Sequence, residues 1–208
     1  MIMKTMFKKL LITVQLFCSI NLLAQEKFSE YDNSYIGERF EIQLSAKEQD
    51  KFTLYIGAMS LDKLHSKGGI RVEEKNHMEF IEALSQAKIK YEEWVATAKE
   101  NGVKELAKTM TIKSRVGGYF LYGSEWNFQF SVNLQFDFKI LESKGETKYL
   151  LLIRTGELQS SSNQFMKVDG FVLVFTSPKE IDDFIGLISE DKISSFQNKP
   201  KREDLFKD

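Results

Sequence analysis

Fifteen consecutive residues, Trp126 to Ile140, alternate between apolar and polar side chains without a break. Trp126, Phe128, Phe130, Val132, Leu134, Phe136, Phe138 and Ile140 are apolar; Asn127, Gln129, Ser131, Asn133, Gln135, Asp137 and Lys139 are polar. Successive side chains leave an extended backbone on opposite faces, so a period of two specifies a β-strand with one buried face. At about 3.3 Å per residue the strand would run roughly 50 Å, far beyond the usual five or six residues. Such a strand requires a large antiparallel sheet, bent if its aromatic face is to wrap around a partner element.

The flanking chain supplies that partner. Phe80, Leu84, Ala87, Tyr91, Trp94 and Ala98 recur at spacings of four and three, which predicts an amphipathic helix over 76–101 with Asn76 as its cap and Asn101-Gly102 as its end. Phe40 to Leu44 and Phe52 to Ala58 predict a hairpin, and Leu61 to Glu74, with Gly68-Gly69, an irregular crossover. Leu106 to Val116 reads as a strand, and Gly117-Gly118 as a two-residue hairpin turn. Pairing Val116 with Tyr119 then puts Tyr119 and Leu121 on the core face, whereas the apolar face is even from Trp126 onward. One extra residue near Gly123-Ser124, a β-bulge, would reconcile the two. The apolar run Tyr149 to Leu158 predicts a strand covered on both faces, and Phe165 to Thr176 another, with the polar loop 159–164 between them. Ser177-Pro178-Lys179-Glu180 predicts a short final helix. The expected order is β-β-α-β-β-β-β-α: an α+β fold with a single curved antiparallel sheet of about six strands packed on one long helix.

The first 24 residues carry a different signal. Lys4, Lys8 and Lys9 precede the mainly apolar run Leu10 to Leu23, and Ala24 offers a small residue for cleavage, which together read as a secretory signal peptide. Export to the periplasm or the exterior follows, leaving residues 25–208 as one α+β domain with a charged, fraying tail at 199–208. Cleavage would discard Cys18, the sole cysteine, and with it disulfides, thiol catalysis and thiolate metal ligands. Losing three lysines takes 29 Lys plus Arg to 26 against 30 Asp plus Glu, a formal charge near −4. That balance speaks against nucleic acid as a partner, and no membrane insertion is expected once the signal is gone.

No catalytic constellation is legible. His65 and His77 stand apart from any metal-ligand spacing, the serines at 160–162 lack a nucleophile-elbow context, and the glycine pairs match no phosphate loop. Asp137 is the only carboxylate on the polar side of the long alternation. No cofactor and no metal are expected. Two features suggest binding instead. Asn127, Gln129, Ser131, Asn133 and Gln135 would form an uncharged ladder suited to a glycan or an added peptide strand. Tyr119, Tyr122 and Trp126 mark an aromatic concentration around the expected bulge, suited to an apolar pocket or a protein contact. The sequence therefore suggests an exported, non-enzymatic protein that binds a protein or glycan through its sheet. A carrier holding an apolar ligand between sheet and helix, and a hydrolase using carboxylates, are the alternatives.

Overall fold

In the computed structural model, which describes residues 26–48, 51–65, 67–143 and 145–199, the long alternation is not one strand in one sheet. It divides at Leu134 into β8 (Glu125–Asn133) and β9 (Gln135–Ser143), which belong to different sheets. The six-stranded sheet runs β1 (Glu26–Asn33), β2 (Glu38–Glu48), β3 (Lys51–Gly57), β5 (Gly68–Glu73), β7 (Arg115–Tyr122), β8. The five-stranded sheet runs β4 (Met59–Ser60), β13 (Phe171–Phe175), β10 (Glu146–Arg154), β9, β6 (Leu106–Thr109). A small hairpin of β11 (Leu158–Gln159) and β12 (Lys167–Val168) stands apart. Every pairing among the described residues is antiparallel. The α+β class and the long helix agree with the sequence; the single curved sheet is corrected to two. The segment read as a signal peptide and residues 200–208 lie outside the described residues.

The bulge exists, but elsewhere. Gly123-Ser124 forms the two-residue turn itself, with Tyr122 paired to Glu125 and Leu121 to Trp126. Gly117-Gly118 is no turn; both glycines lie inside β7. Val116 pairs with Val132 and Gly118 with Gln129, so Phe130 and Ser131 together stand opposite Gly117. That extra residue exchanges the faces of β8 halfway along. Beyond it the even side chains Val132, Leu134, Phe136, Phe138 and Ile140 enter the core. Before it, Asn127 points inward opposite the fully buried Phe120, while Trp126, Phe128 and Phe130 point outward.

One hydrophobic core joins the inner faces of both sheets. Helix α1 (Glu74–Glu100) crosses it with Phe80, Ala83, Leu84, Ala87, Tyr91 and Ala98 buried. Phe138 is the hinge of that packing, edge-on to Tyr91 at 5.8 Å and to Trp94 at 5.6 Å between ring centres. The helix begins two residues before the expected cap, and its N-cap, Glu73, makes no side-chain capping bond. Glu79, three residues beyond Asn76, accepts from the Arg115 backbone N–H. His77 is buried, and its Nε2 lies 2.7 Å from the Ile188 carbonyl. The carbonyl can only accept, so Nε2 carries the proton.

Helix α2 (Pro178–Leu187) starts as expected. Ser177 Oγ accepts from the Glu180 N–H, while the Glu180 carboxylate accepts from Thr176. It packs Ile181 and Phe184 against the core, and α3 (Glu190–Gln197), capped by Ser189, adds Ile193. Strand β1, which the alternation of the sequence does not announce, pairs with β2 at the edge of the six-stranded sheet, and its Tyr31 hydroxyl donates to the Gly57 carbonyl at 2.8 Å. Tyr91 likewise donates to the Thr176 carbonyl at 2.8 Å, with that of Tyr149 at 3.1 Å.

Burial lifts both phenols above their ordinary value of 10, and at Tyr91 the charge of Glu180 adds to the effect. The sign of the consequence is set by which state loses the proton first. Above pH 10 the unfolded chain ionises while the folded protein keeps both protons, so stability is whole below pH 10 and falls as pH rises. The slope should approach about 1.4 kcal/mol per pH unit for each tyrosine. Urea midpoints measured from pH 9 to about 11.5 should show the decline, and Tyr31→Phe should make it shallower. A midpoint independent of pH over that range would refute the assignment.

Candidate binding face

The outer face of the six-stranded sheet is paved with aromatic rings, and glycines explain how. Across the strands Gly57, Gly69, Tyr119 and Phe128 lie in one row, and Gln43, Tyr55, Arg71 and Gly117 in the next. With no side chain at positions 69 and 117, space is left on this face for rings from neighbouring strands to meet, edge-on in the case of Tyr55 with Tyr119 and Phe128. Tyr55 on β3 reaches Tyr119 on β7 at 5.4 Å between ring centres, and Phe128 on β8 at 6.3 Å. Tyr119 in turn meets Trp126 at 5.6 Å. The glycine floor is close-packed: a Cβ on Gly69 would lie 2.0 Å from the Ile56 carbonyl oxygen, and one on Gly117 would make a tight 3.1 Å contact with the Gln129 carbonyl oxygen.

Two members of this pavement remain open to solvent: Trp126 is 50% exposed and Phe130 is 65% exposed. Behind Phe130 lies Arg71, only 5% exposed, its guanidinium 5.4 Å from the Phe130 ring centre. One guanidinium nitrogen of Arg71 bonds Glu73 at 2.6 Å, while Nη1 is buried without a hydrogen-bond partner. Glu73 is held below the usual carboxylate range, first by its hydrogen bond to Lys75 and then by Arg71. Burial raises the Tyr119 phenol above its ordinary value, so it keeps its proton beyond the pH at which a free phenol ionises.

The side chains singled out from sequence are divided by the bulge. Asn127 is buried on the inner face, its Nδ2 donating to the Glu125 carbonyl, and Gln129 Oε1 accepts from the Gln159 N–H at 2.8 Å. Ser131 and Gln135 are exposed, and Asn133 accepts from Arg115 Nε. These five therefore do not form one ladder: the bulge turns the first two toward the β11–β12 excursion, whose Ser161 N–H also bonds the Phe128 carbonyl at the open edge of β8. Tyr119 and Trp126 do meet on the outer face. Tyr122 does not join them; it stacks on His65 at 4.5 Å. Phe130, Phe128, Tyr55 and Arg71 were missed, the first two because unbroken alternation placed them in the core. Glycines inside alternating strands were the available signal, since they mark a bulge or close backbone approach as readily as a turn.

Asp137 has a different fate. Its carboxylate accepts from Thr109 at 2.6 Å and from Arg154 at 2.8 Å (Nε) and 2.6 Å (Nη2), which ties β9 to β6 and β10. Among the described residues no cluster of three or more His, Asp or Glu is placed to hold a metal ion. No helix there is long and apolar enough to cross a membrane. No protein-family model, no curated protein and no solved structure matches this chain.

Proposed function

We propose that this is an exported, non-catalytic binding protein that captures a protein partner through the outer aromatic face of its six-stranded sheet. The observation that carries the reading is the exposure of Trp126 and Phe130 on a face already paved by Tyr55, Tyr119 and Phe128. Large aromatics beside a desolvated arginine are the composition of protein-contact hot spots. A glycan is less well served, because Asn127 and Gln129, which would read its hydroxyls, are turned to the inner face and bonded there. The carrier alternative has less support, since Phe80, Leu84, Phe120, Phe136 and Phe138 fill the space between sheet and helix. For the hydrolase alternative, Asp137 is already neutralised by Arg154.

The test is affinity capture from the exported fraction of the source cells, followed by titration of the purified partner. Truncating Trp126 or Phe130 to alanine should each weaken binding roughly thirty-fold, or about 2 kcal/mol, while lowering the melting temperature by no more than about 4 °C. A partner that binds Trp126→Ala and Phe130→Ala at wild-type affinity would sink the reading. Capture of a glycan, lost in the same variants, would reassign the face to sugars.

A further inference from the structure

Arg71 is set into the outer aromatic face with its bonding incomplete. It shares a row across the sheet with Gln43, Tyr55 and Gly117, so its side chain leaves the sheet on the same side as Tyr55. Nη2 bonds Glu73 at 2.6 Å, and that carboxylate also holds Lys75 at 2.8 Å. Two cations thus share one anion, and a positive charge is left over. Nη1 is buried and has no hydrogen-bond partner. A charged donor kept from both water and any acceptor is a standing cost to the folded state and calls for an explanation. The ring over this guanidinium is that of Phe130, its centre 5.4 Å from the guanidinium carbon. Phe130 is open to solvent on its other side, and with Ser131 it stands opposite Gly117, which has no side chain to pin it. Rotation of the Phe130 side chain to another staggered position would uncover the guanidinium without moving the backbone.

We infer that the protein captured on this face presents a carboxylate to Arg71, and that Phe130 is the lid this carboxylate displaces. The inference rests on the capture reading above and adds the chemistry of the anchor: an aspartate or glutamate side chain, or a chain terminus. With the ring aside, a carboxylate oxygen accepts from Nη1 and takes up the charge that Glu73 leaves unbalanced. The guanidinium is a planar donor matched to carboxylate oxygens, and its bond to Glu73 already fixes its orientation, so little freedom is lost on binding. In the free protein the closed lid lowers the apparent affinity for any carboxylate by the fraction of molecules in which the ring stands open.

Three small probes decide the matter by NMR titration at constant ionic strength, followed at the Arg71 side-chain N–H resonance. N-acetylglutamate amide stands in for a side chain, N-acetylglycine for a chain terminus, and N-acetylglutamine amide is the uncharged control. At least one acid should bind Phe130→Ala with a Kd of about 30 mM or tighter, and the control should not bind. The wild type should bind the same acid about tenfold more weakly, because its lid must first open. The tighter of the two acids tells side chain from terminus. Adding Arg71→Lys, which keeps the charge and loses the planar fork, should weaken the acid by about fivefold or more, and adding Arg71→Met should abolish its binding. The inference is overturned if neither acid binds Phe130→Ala by about 100 mM, or if the glutamine amide binds it equally well. It is overturned too if the wild type binds the acids as tightly as Phe130→Ala does, or if both Arg71 variants leave binding unchanged. The probes need no protein partner, so their failure leaves the capture reading standing. A partner held at wild-type affinity by Trp126→Ala and Phe130→Ala would remove that reading whatever the probes do.

Discussion

Gly69→Ala is expected to leave little or no folded protein. Position 69 lies in β5, third from one edge of the six-stranded sheet, between β3 and β7. A Cβ there would sit 2.0 Å from the Ile56 carbonyl oxygen and 3.1 Å from the Ala58 nitrogen. Both are backbone atoms of the neighbouring chain, so no side-chain rotation relieves the clash. Either β3 and β5 separate or the hydrogen-bonded ladder shifts, and a loss of more than about 4 kcal/mol follows. Gly145→Ala is the control. Its φ of 82° strains any other residue, but a Cβ there meets nothing within 4 Å. That variant should lose only about 1–2 kcal/mol, the cost of the left-handed backbone. Circular dichroism and urea unfolding of the two proteins compare them directly. If Gly69→Ala unfolds within about 1 kcal/mol of the wild type, the close approach of β3 and β5 described above is wrong.

The second large effect contrasts two phenylalanines that the sequence presents as equivalents. Phe130 and Phe138 occupy even positions of the same alternating stretch, eight residues apart. Phe138 is fully buried between Tyr91 and Trp94, and Phe138→Ala should cost about 3–5 kcal/mol through lost transfer energy and the cavity left behind. Phe130 is two-thirds exposed, and Phe130→Ala should cost under about 1 kcal/mol, chiefly its contact with Arg71. The difference measures the face exchange at Phe130–Ser131. Equal losses at the two positions would mean that the alternation keeps one face throughout.

What could be read from the sequence is what local pattern determines. The stripe Phe80 to Ala98 specified α1 to within two residues at its start, and Ser177-Pro178 specified the start of α2. The pairing of β2 with β3, and of β9 with β10 across the turn after Ser143, followed from alternation and polar breaks. Strand β1 was hidden because its buried positions are few: Tyr31 and Asn33 are its only fully buried residues, the latter polar. Strand β5 was hidden by Gly68-Gly69, which made 61–74 read as an irregular crossover; both glycines lie inside the strand, and only contacts with β3 and β7 reveal that they are there for close approach. The division into two sheets was not legible for a related reason. Leu106 to Val116 reads as one extended run, yet Thr109 pairs with Asp137 in one sheet and Arg115 with Asn133 in the other. Nothing in a period of two distinguishes a strand that stays in its sheet from one that changes sheets. The outer aromatic face was hidden for the same reason, since its exposed members are the very side chains the period assigned to the interior.

The bulge at Phe130–Ser131 has a consequence at the level of inheritance. Loss of a single residue there would restore regular pairing opposite Gly117 and leave Gln129 opposite Gly118 and Phe128 opposite Tyr119. Faces are set by the partners on β7, so Trp126 and Phe128 would stay outside and Asn127 inside, while the carboxy-terminal half, from Val132 onward, would keep its place in the core. What the extra residue changes is the parity of the letters. Descendants of this chain that lose it would carry a broken alternation in sequence and an unbroken ladder in the sheet, with the same aromatic side chains outside.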